Sequence, residues 1–365
     1  MNVLPSCCYL QNLPEELIEN ILFRVPIKYL LQLKLVCKSL NSLISHPKFA
    51  KHHLRSSATL RLVSSVHGQN NLQIFSINSL FQNLSGPLRS CTITGHNLIL
   101  GSCNGILCLC DIVQCHITLF NPSTTLSSPA FPTDLSPGEV YRTFHGFGYD
   151  HVNEKYKVLL VRRILTETVT KVYTFGEKRS IRVVENSQLY PLPSGRLGKC
   201  VSGTLNWMTP KLGPNDSVNE WVILSFNLVT ETFGEMMLPD GNSNNICKPM
   251  INLVHNCLCV CFFDRKKACW CVWVMKEYGV EDSWTNLMMI SGFVIDGLPC
   301  IRNELCSCIG CPALDPLYVS EDGMALFKTT SCRLLLYNPN DGTLNCVRVR
   351  GDIWSYHESL VSPSS

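Results

Sequence analysis

Residues 222–232 read VILSFNLVTET, an apolar run that stops at a polar segment. The β-branched and aromatic side chains of residues 222–226 are typical of a strand, and Asn227 suits the backbone geometry of a tight turn. This stretch therefore predicts a strand that ends in a turn.

The same form recurs along the chain after residue 60. The segments that share it are LQIFSIN (72–78), ITLFNPST (117–124), KVYTFGE (171–177), VILSFNLVTET (222–232), CVWVMKEYG (271–279) and LLLYNPNDGT (334–343). Their separations of roughly 45 to 64 residues centre near the length of a four-stranded kelch-type blade. The repeat predicts an all-β, propeller-like body of about six irregular blades, and a pair of sheets packed as a sandwich is the alternative.

The N-terminal residues follow a helical pattern instead. Leu13, Leu17 and Ile21 line one helical stripe, and Pro26 ends that helix. Apolar residues at helical spacing over 33–44 predict a second helix, which Pro47 closes. A helical head of roughly fifty residues has too little interior to bury so many leucines, so some of them pack on the β body or on a partner.

Residues 13–54 resemble an F-box, the helical module by which substrate receptors of SCF-type (cullin-RING) ubiquitin ligases bind a Skp-type adaptor. The resemblance rests on the Leu-Pro start at Leu13, on Pro26, on the Val-Cys-Lys run at 36–38 and on residues 44–49. Leu40 stands where the family usually has Trp, so the site stays apolar and lacks an aromatic anchor for the adaptor.

The body resembles the F-box-associated domain of kelch-like type found in plants. The segments that carry this resemblance occur in family order, and they are GSCNGILCL (101–109), LFNPST (119–124), GFGYDHVNEKYKVLLV (146–161), VSGTLNW (201–207), ILSFNLVTETF (223–233) and VWVMKEYGVEDSWTNL (272–287). Beyond about Ser291 the signatures are weaker, and the sequence leaves the closure of the last blade open.

Together the two resemblances imply an α+β chain by domain, with an F-box at 1–55 and a propeller-like recognition domain at 56–365. They imply a non-catalytic subunit of an SCF-type ubiquitin ligase that binds a Skp-type adaptor, and through it a cullin, and that binds a target protein through the loops of the body. The resemblance does not name the target. The alternative is a propeller scaffold that binds a partner without ubiquitin transfer.

The candidate adaptor-binding residues come from the helical pattern of the head. They either contact the adaptor or hold the docking helices together, and they are Leu13, Pro14, Leu17, Ile21, Leu22, Pro26, Leu33, Val36, Cys37, Leu40, Leu43 and Ile44. We expect Leu17→Asp or Leu22→Asp to abolish adaptor binding, because a carboxylate would be desolvated in an apolar seam.

The charge is uneven along the chain. Nine basic and three acidic residues give residues 1–110 a net charge of +6, and since the whole chain carries +3 the remainder carries −3. A basic head favours an acidic partner, and a nucleic-acid binder is one alternative. The alternation of leucines with lysines in the head suits protein docking better, so we expect no nucleic acid among the partners.

The sequence indicates an intracellular protein, in which a reducing compartment keeps the cysteines as thiols. The chain has 21 cysteines, an odd and scattered number, and lacks both a secretory signal pattern and a long apolar run at its start or later, so we expect free thiols and a location in the cytoplasm or nucleus, without a membrane anchor. Cys257, Cys259 and Cys261 alternate at strand spacing and are expected to face the core.

We find no pattern that indicates catalysis or a bound cofactor, and a propeller oxidase would need one. The best candidates for a metal site are Cys300, Cys306, Cys308 and Cys311, but their spacing departs from paired zinc knuckles and favours free thiols in a loop. Tryptophans are the better functional candidates, because most pack between strands while one or two contribute to a partner site; they are Trp207, Trp221, Trp273, Trp284 and Trp354.

Overall fold

The structure is a computed structural model. It describes residues 13–66, 69–82, 86–95, 97–164, 167–176, 180–184, 193, 195–212, 218–239, 246–291, 313–329 and 333–364.

The head, residues 13–57, contains four helices where the sequence predicted two. They are α1 (Glu15–Leu22), α2 (Ile27–Leu33), α3 (Lys38–Ser45) and α4 (Pro47–Ser57). The predicted helix over 33–44 is wrong, because Cys37 has extended backbone angles (φ −155°, ψ 161°) that separate α2 from α3. Pro47 does not simply close a helix either: it begins α4, a position where its missing N–H costs nothing.

In its described residues, the first half of the body contains twelve strands and one short helix. They are β1 (Leu60–Ser65), β2 (Asn71–Ser76), α5 (Ile77–Phe81), β3 (Arg89–Thr92), β4 (Asn97–Cys103), β5 (Ile106–Asp111), β6 (His116–Asn121), β7 (Leu126–Ser127), β8 (Phe131–Pro132), β9 (Thr143–Asp150), β10 (Lys155–Ile164), β11 (Glu167–Thr174) and β12 (Ser180–Val184). A short 3-10 turn at Glu139–Arg142 precedes β9.

The second half continues with thirteen strands. They are β13 (Leu197–Val201), β14 (Thr204–Leu212), β15 (Val218–Asn227), β16 (Thr232–Met237), β17 (Ile246–Val254), β18 (Cys257–Asp264), β19 (Cys269–Met275), β20 (Trp284–Ser291), β21 (Leu314–Val319), β22 (Ala325–Thr329), β23 (Arg333–Asn338), β24 (Thr343–Arg348) and β25 (Asp352–His357). A 3-10 turn at Glu281–Ser283 precedes β20. In the part of the chain that the structure describes, no helix is long and apolar enough to cross a membrane.

These strands form a propeller-like ring, as the sequence predicted. Three sheets follow chain order, namely β4 to β7 with β8 also on β6, β17 to β20, and β21 to β24. The first strands of neighbouring units lie side by side about a central channel, where β4 contacts β9, β9 contacts β13 and β17 contacts β21. Hydrophobic clusters fill the space between adjacent sheets, for example between the β17–β20 and β21–β24 sheets.

In the described residues the strands form five separate sheets, where the sequence predicted about six irregular blades. One sheet has eight strands in the order β12-β11-β10-β9-β13-β14-β15-β16. Its two halves join where β9 and β13 pair in parallel, at Leu197 with His145 and Gly198 with Gly146. Glycines are needed at this junction, because a Cβ on Gly198 would lie 2.4 Å from the ring of buried Trp207.

The ring is closed by strands from opposite ends of the body. β25 pairs with β1 in antiparallel register over residues 60–65 and 352–357, and the full sheet has the order β25-β1-β2-β3. β25 also contacts β4, the first strand of the following sheet. The closure that the sequence left open is therefore achieved by the C-terminal strand.

Asparagines terminate the strands in the way that the sequence predicted. Asn121 Oδ1 accepts a hydrogen bond from Ser123 N at 2.7 Å, and Asn227 Oδ1 accepts one from Val229 N at 2.8 Å. Asn338 Oδ1 accepts from the backbone N of residue 340 at 3.0 Å. A side-chain acceptor two residues before the backbone donor is the geometry of an Asx turn, which confirms the prediction.

Asn121 has a second role that the other two lack. Its amide Nδ2 donates to the carbonyl oxygens of Ser359 at 3.0 Å and Val361 at 2.7 Å, and its side chain is fully buried. These hydrogen bonds hold the segment that follows β25 against the β4–β8 sheet.

We expect Asn121→Ala to destabilise the protein by about 2 to 3 kcal/mol, because buried carbonyl and amide groups lose their partners. Asn338→Ala is the matched control, since it removes the same turn contact without the bonds to the C-terminal segment, and we expect it to cost less than about 1 kcal/mol. Denaturant unfolding of both variants measures the difference. Equal effects would contradict the role of Asn121 in ring closure.

Candidate interaction surfaces

The head has a hydrophobic interior that continues into the body. The residues buried in it are Leu22, Ile27, Leu30, Leu40, Ile44, Phe49 and Ala50. They share one cluster with residues of the β4–β6 and β9–β11 strands, and with Leu360 and Val361 beyond β25. The head is thus seated on the body rather than attached to it by a free linker.

An ion pair also joins the head to the body. Lys51 Nζ in α4 donates to Glu154 Oε1 at 2.6 Å, and the same ammonium lies 5.9 Å from the ring centroid of Tyr149. The hydrogen bond to Glu154 raises the pKa of the Lys51 amine. Glu154 lies in the turn between β9 and β10, so α4 packs at the end of the ring where β9 finishes.

One face of α1 remains uncovered. Leu13, Leu17 and Ile21 recur every four residues and expose 42%, 49% and 58% of their surface. We call these three residues the apolar stripe. Large apolar side chains that are contiguous on a surface usually mark a docking site, so the stripe is a candidate docking surface.

More apolar surface lies beyond α1. Leu35 and Val36, between α2 and α3, are 87% and 57% exposed, and Tyr29 on α2 is 52% exposed. Of these, only Val36 was among the sequence candidates. Leu35 and Tyr29 were missed because they fall off the helical stripe. Their exposure could be recognised only from the structure, in which α2 and α3 are separate helices.

The candidate residues of the head divide by burial. Those exposed are Leu13, Pro14, Leu17, Ile21, Pro26 and Val36. Those half-buried are Leu33, Cys37 and Leu43. Those buried inside the head are Leu22, Leu40 and Ile44. Leu22→Asp would place a carboxylate in the packed interior, so Leu17→Asp is the substitution that addresses docking.

Leu40 lies in the interior of the head. It is 7% exposed and packs in the head's interior with Leu30 and Ile44. Leu40 packs α3 against the rest of the head, and its side chain is not exposed for contact with an adaptor.

The ring encloses a cavity of about 340 Å³ at one end of its channel. Its wall combines apolar side chains with charged ones. The apolar lining residues include Leu98, Ile99, Val140, Leu197, Ile251 and Trp354. The charged or titratable lining residues are His145, Arg196, Lys199, Asp315, Lys328 and Asp352. A largely apolar wall with a few polar groups, at this volume, is typical of a small-ligand site.

Two lysines and one tryptophan form the most distinctive part of this wall. Lys328 Nζ lies 4.6 Å from the ring centroid of Trp354, and Lys199 Nζ lies 5.8 Å from the same centroid. Lys328 Nζ also donates to the carbonyl oxygen of Ile353 at 3.2 Å. Within the described residues, neither ammonium forms an ion pair with a carboxylate.

The nearby carboxylate only partly compensates the positive charge of these two lysines. Burial lowers the pKa of the Lys199 amine, the carboxylate of Asp315 raises it, and the neighbouring Lys328 lowers it further. Asp315 Oδ1 accepts a hydrogen bond from Asn252 Nδ2 at 2.7 Å. Two ammonium groups that share one ring attract negative charge into the cavity.

His145 lines the cavity as an uncharged residue. Its side chain is 3% exposed and its Nδ1 has no hydrogen-bond partner. Burial lowers the pKa of His145 to about 4, and nearby Arg196 lowers it in the same direction, so the ring is neutral at pH 7.

The head and the cavity lie at opposite ends of the channel. His145 lines the cavity near the start of β9, and the turn that follows Asp150 at the end of β9 contacts the head. Five residues of extended chain span about 16 Å. Lys199 and Trp354 likewise lie near the start of β13 and β25.

The tryptophans behave largely as predicted. Trp207 is fully buried and its Nε1 donates to the carbonyl oxygen of His145 at 3.1 Å. Trp221, Trp273 and Trp284 are partly buried in one cluster between sheets. Trp354 is the one of the five that lines the cavity. The lysines and His145 were missed by sequence reasoning, because residues 145, 199 and 328 lie far apart in the chain and belong to no motif.

Among the described residues, the cysteines other than Cys247 and Cys346 are free thiols. Cys259 and Cys261 are fully buried and Cys257 packs beside them, which confirms the predicted inward face of β18. Among the residues that the structure describes, no group of three or more His, Cys, Asp or Glu side chains is arranged to hold a metal ion. The metal candidates Cys300, Cys306, Cys308 and Cys311 lie outside the described residues.

Two family models match the chain. Residues 10–52 match the F-box domain, and residues 61–352 match the F-box associated beta propeller domain. The boundary between the two matches falls between α4 and β1.

Curated relatives span nearly the whole chain. It is 28% identical to the F-box/kelch-repeat protein At3g23880 of Arabidopsis thaliana, over 97% of this chain and 96% of that protein. It is 27% identical to the F-box protein CPR1 of Arabidopsis thaliana, over 96% of this chain and 88% of that protein. Among solved structures, a chain of the nidogen/laminin complex is matched with a TM-score of 0.45 at 10% identity, covering 84% of this chain and 100% of that one.

Proposed function

The chain belongs to the family of F-box proteins with an F-box associated beta propeller domain, and from this premise we propose that it is the substrate-recognition subunit of an SCF-type ubiquitin ligase. The head docks a Skp-type adaptor, and through it a cullin. The body binds a target protein, and other subunits supply the ubiquitin-charged enzyme.

The observation that carries this proposal is the apolar stripe. Leu13 just before α1, and Leu17 and Ile21 on α1, are exposed in the segment that matches the F-box domain. The same head buries Leu22, Leu30 and Ile44. A folded head that leaves one apolar face in solvent is suited to a partner that completes its burial.

The placement of the two surfaces supports the mechanism. The head is seated where β9 ends, and the cavity opens where β9 begins, so an adaptor and a target bound at these places do not compete. The head's packing on the body fixes their separation. Holding target and enzyme on one rigid frame raises the effective concentration of each for the other, and no residue of this chain needs to do bond chemistry.

The free thiols bear on where the protein works. Buried thiols such as Cys108, Cys259 and Cys261 are free, which suits a reducing compartment, and we therefore place its action in the cytoplasm, the nucleus or both.

Co-purification of the full chain with a Skp-type adaptor tests the receptor role. We expect a stable complex and, with a cullin and its RING partner added, transfer of ubiquitin to captured proteins. A folded chain that captures proteins through its body without binding the adaptor would overturn the receptor role and favour the scaffold. Deleting residues 1–55 is a poor control, because the cluster that includes Leu360 and Val361 would lose its cover.

A further inference from the structure

We propose that the central cavity binds a single carboxylate attached to an apolar group. The inference deepens the proposed function and rests on it, since the ligand would be the recognised part of a target or a small acid that completes the recognition surface. The cavity is built for such a ligand by three features of its wall.

The first feature is the pair of ammonium groups beside Trp354. Lys199 and Lys328 lie 5.8 and 4.6 Å from the same ring centroid and have no ion-pair partner among the described residues. The hydrogen bond from Lys328 to Ile353 uses one of three donors, so donors remain for an anion. A carboxylate between the two lysines accepts charge-assisted hydrogen bonds from both.

The second feature limits the charge of the ligand. Asp315 and Asp352 also line the cavity, and each repels a bound anion. Three basic side chains against two acidic ones leave an excess of one positive charge on the wall. A monoanion balances that excess, whereas a phosphate dianion would exceed it.

The third feature is the apolar remainder of the wall. Ile99, Val140 and Ile251 face the same space as the lysines, and Trp354 offers an aromatic face. The volume of about 340 Å³ accepts a group the size of one large side chain with its terminal carboxylate.

Two sources could supply this chemistry: the C-terminal residue of a protein chain, or a small organic acid. The test uses three probes on the full chain, namely acetyl-Gly-Ser-Gly-Phe with a free carboxylate, the same peptide as its C-terminal amide, and 3-phenylpropionate. Binding is followed by ligand-observed NMR and calorimetry at low ionic strength, where screening of the lysines is weak.

We expect the free-acid peptide or 3-phenylpropionate to bind at least tenfold more tightly than the amide. Binding of the peptide alone identifies a chain terminus, and equal or tighter binding of 3-phenylpropionate identifies a small acid. Equal affinity of acid and amide, or no binding by either acid at millimolar concentration, overturns the proposal. So does displacement by inorganic phosphate at lower concentration than by acetate, since the site would then prefer a dianion.

Substitutions locate the binding. Lys199→Gln and Lys328→Gln are each expected to weaken the acid at least tenfold without changing the affinity of the amide. Lys211→Gln is the control, because Lys211 is paired with Glu235 at 2.9 Å on an exposed part of the body. Lys328→Gln keeps a neutral donor for Ile353, so it carries the test if Lys199→Gln does not fold. Unchanged binding in folded variants overturns the proposal.

Adaptor co-purification on the same samples separates the two proposals. Loss of adaptor binding with carboxylate binding intact removes the receptor role and leaves the ligand class of the cavity standing. Adaptor binding without carboxylate binding leaves the receptor role standing and removes the proposed ligand class of the cavity.

Discussion

Leu17→Asp is expected to weaken adaptor binding by at least 100-fold, a loss of about 2.7 kcal/mol or more. Leu17 is the middle residue of the apolar stripe and is 49% exposed, so the substitution leaves the head's interior intact. In the complex the carboxylate would be taken out of water without a partner. The affinity for a Skp-type adaptor, measured by calorimetry on the full chain, checks the result.

Two companion variants separate burial from charge. Leu17→Lys reverses the sign of the introduced charge, and we expect a loss of similar size, because burial of either charge in an apolar seam is unfavourable. Val113→Asp places the same carboxylate on an equally exposed apolar residue of the body, 57% exposed, and should leave adaptor binding unchanged. Normal binding by Leu17→Asp would mean that the stripe is not the docking surface.

Lys157→Met is expected to destabilise the body by about 3 to 5 kcal/mol. Lys157 is 5% exposed and its Nζ donates to Asp150 Oδ2 at 2.9 Å, Glu231 Oε1 at 2.8 Å and the carbonyl oxygen of Leu228 at 2.6 Å. Its removal leaves two buried carboxylates without their shared cation. Asp150 belongs to one half of the eight-stranded sheet and Glu231 to the other, so the link between the two halves is also lost. Denaturant unfolding measures the loss.

Lys51→Met is the matched control for this prediction. Lys51 also pairs with a glutamate, Glu154, but the two side chains are 42% and 68% exposed, so the cost should be less than about 1 kcal/mol. A rescue variant that combines Lys157→Met with Asp150→Asn and Glu231→Gln should recover much of the loss, because no buried charge is then left unpaired. Arg182, which also pairs with Glu231 at 3.0 Å, is 68% exposed and stays solvated. Failure of the rescue would show that packing, and not charge, explains the effect of Lys157→Met.

The same cluster predicts a dependence on pH. Burial raises the pKa of the Asp150 carboxyl, but hydrogen bonds from Asn153 and Lys157 outweigh it and lower the pKa to about 2. A carboxyl whose pKa is lower in the folded state stabilises the fold above its unfolded value of about 3.9, and this stability is lost as the pH falls towards 2. The wild type should therefore lose stability over that interval more steeply than the rescue variant.

The parts of this molecule that follow from local pattern were predictable from its sequence. The strand ends at Asn121, Asn227 and Asn338 were predicted because an Asx turn depends on residues two apart. The apolar stripe was predicted because one helix determines it. Which leucines of the head face inward was not predictable, since that depends on how four helices pack on the body.

The cavity was beyond the reach of the sequence for a related reason. Lys199, Lys328 and Trp354 come from three sheets, and nothing in the segments around them differs from ordinary strand sequence. Only the closed ring brings them together. The break at Cys37 was missed because the apolar spacing over 33–44 continues through it, although the backbone does not.

The pairing of β25 with β1 has a consequence for protein synthesis. Residues 60–65 leave the ribosome long before residues 352–357, so the nascent chain carries an unpaired edge on β1 while every other strand is being made. Such an edge can pair with other chains. The edge of β1 must therefore stay unfolded or be bound by a chaperone until β25 has been made. A premature stop codon before residue 352 would make this condition permanent, and the truncated product should be insoluble or degraded although it contains the head and 24 of the 25 strands.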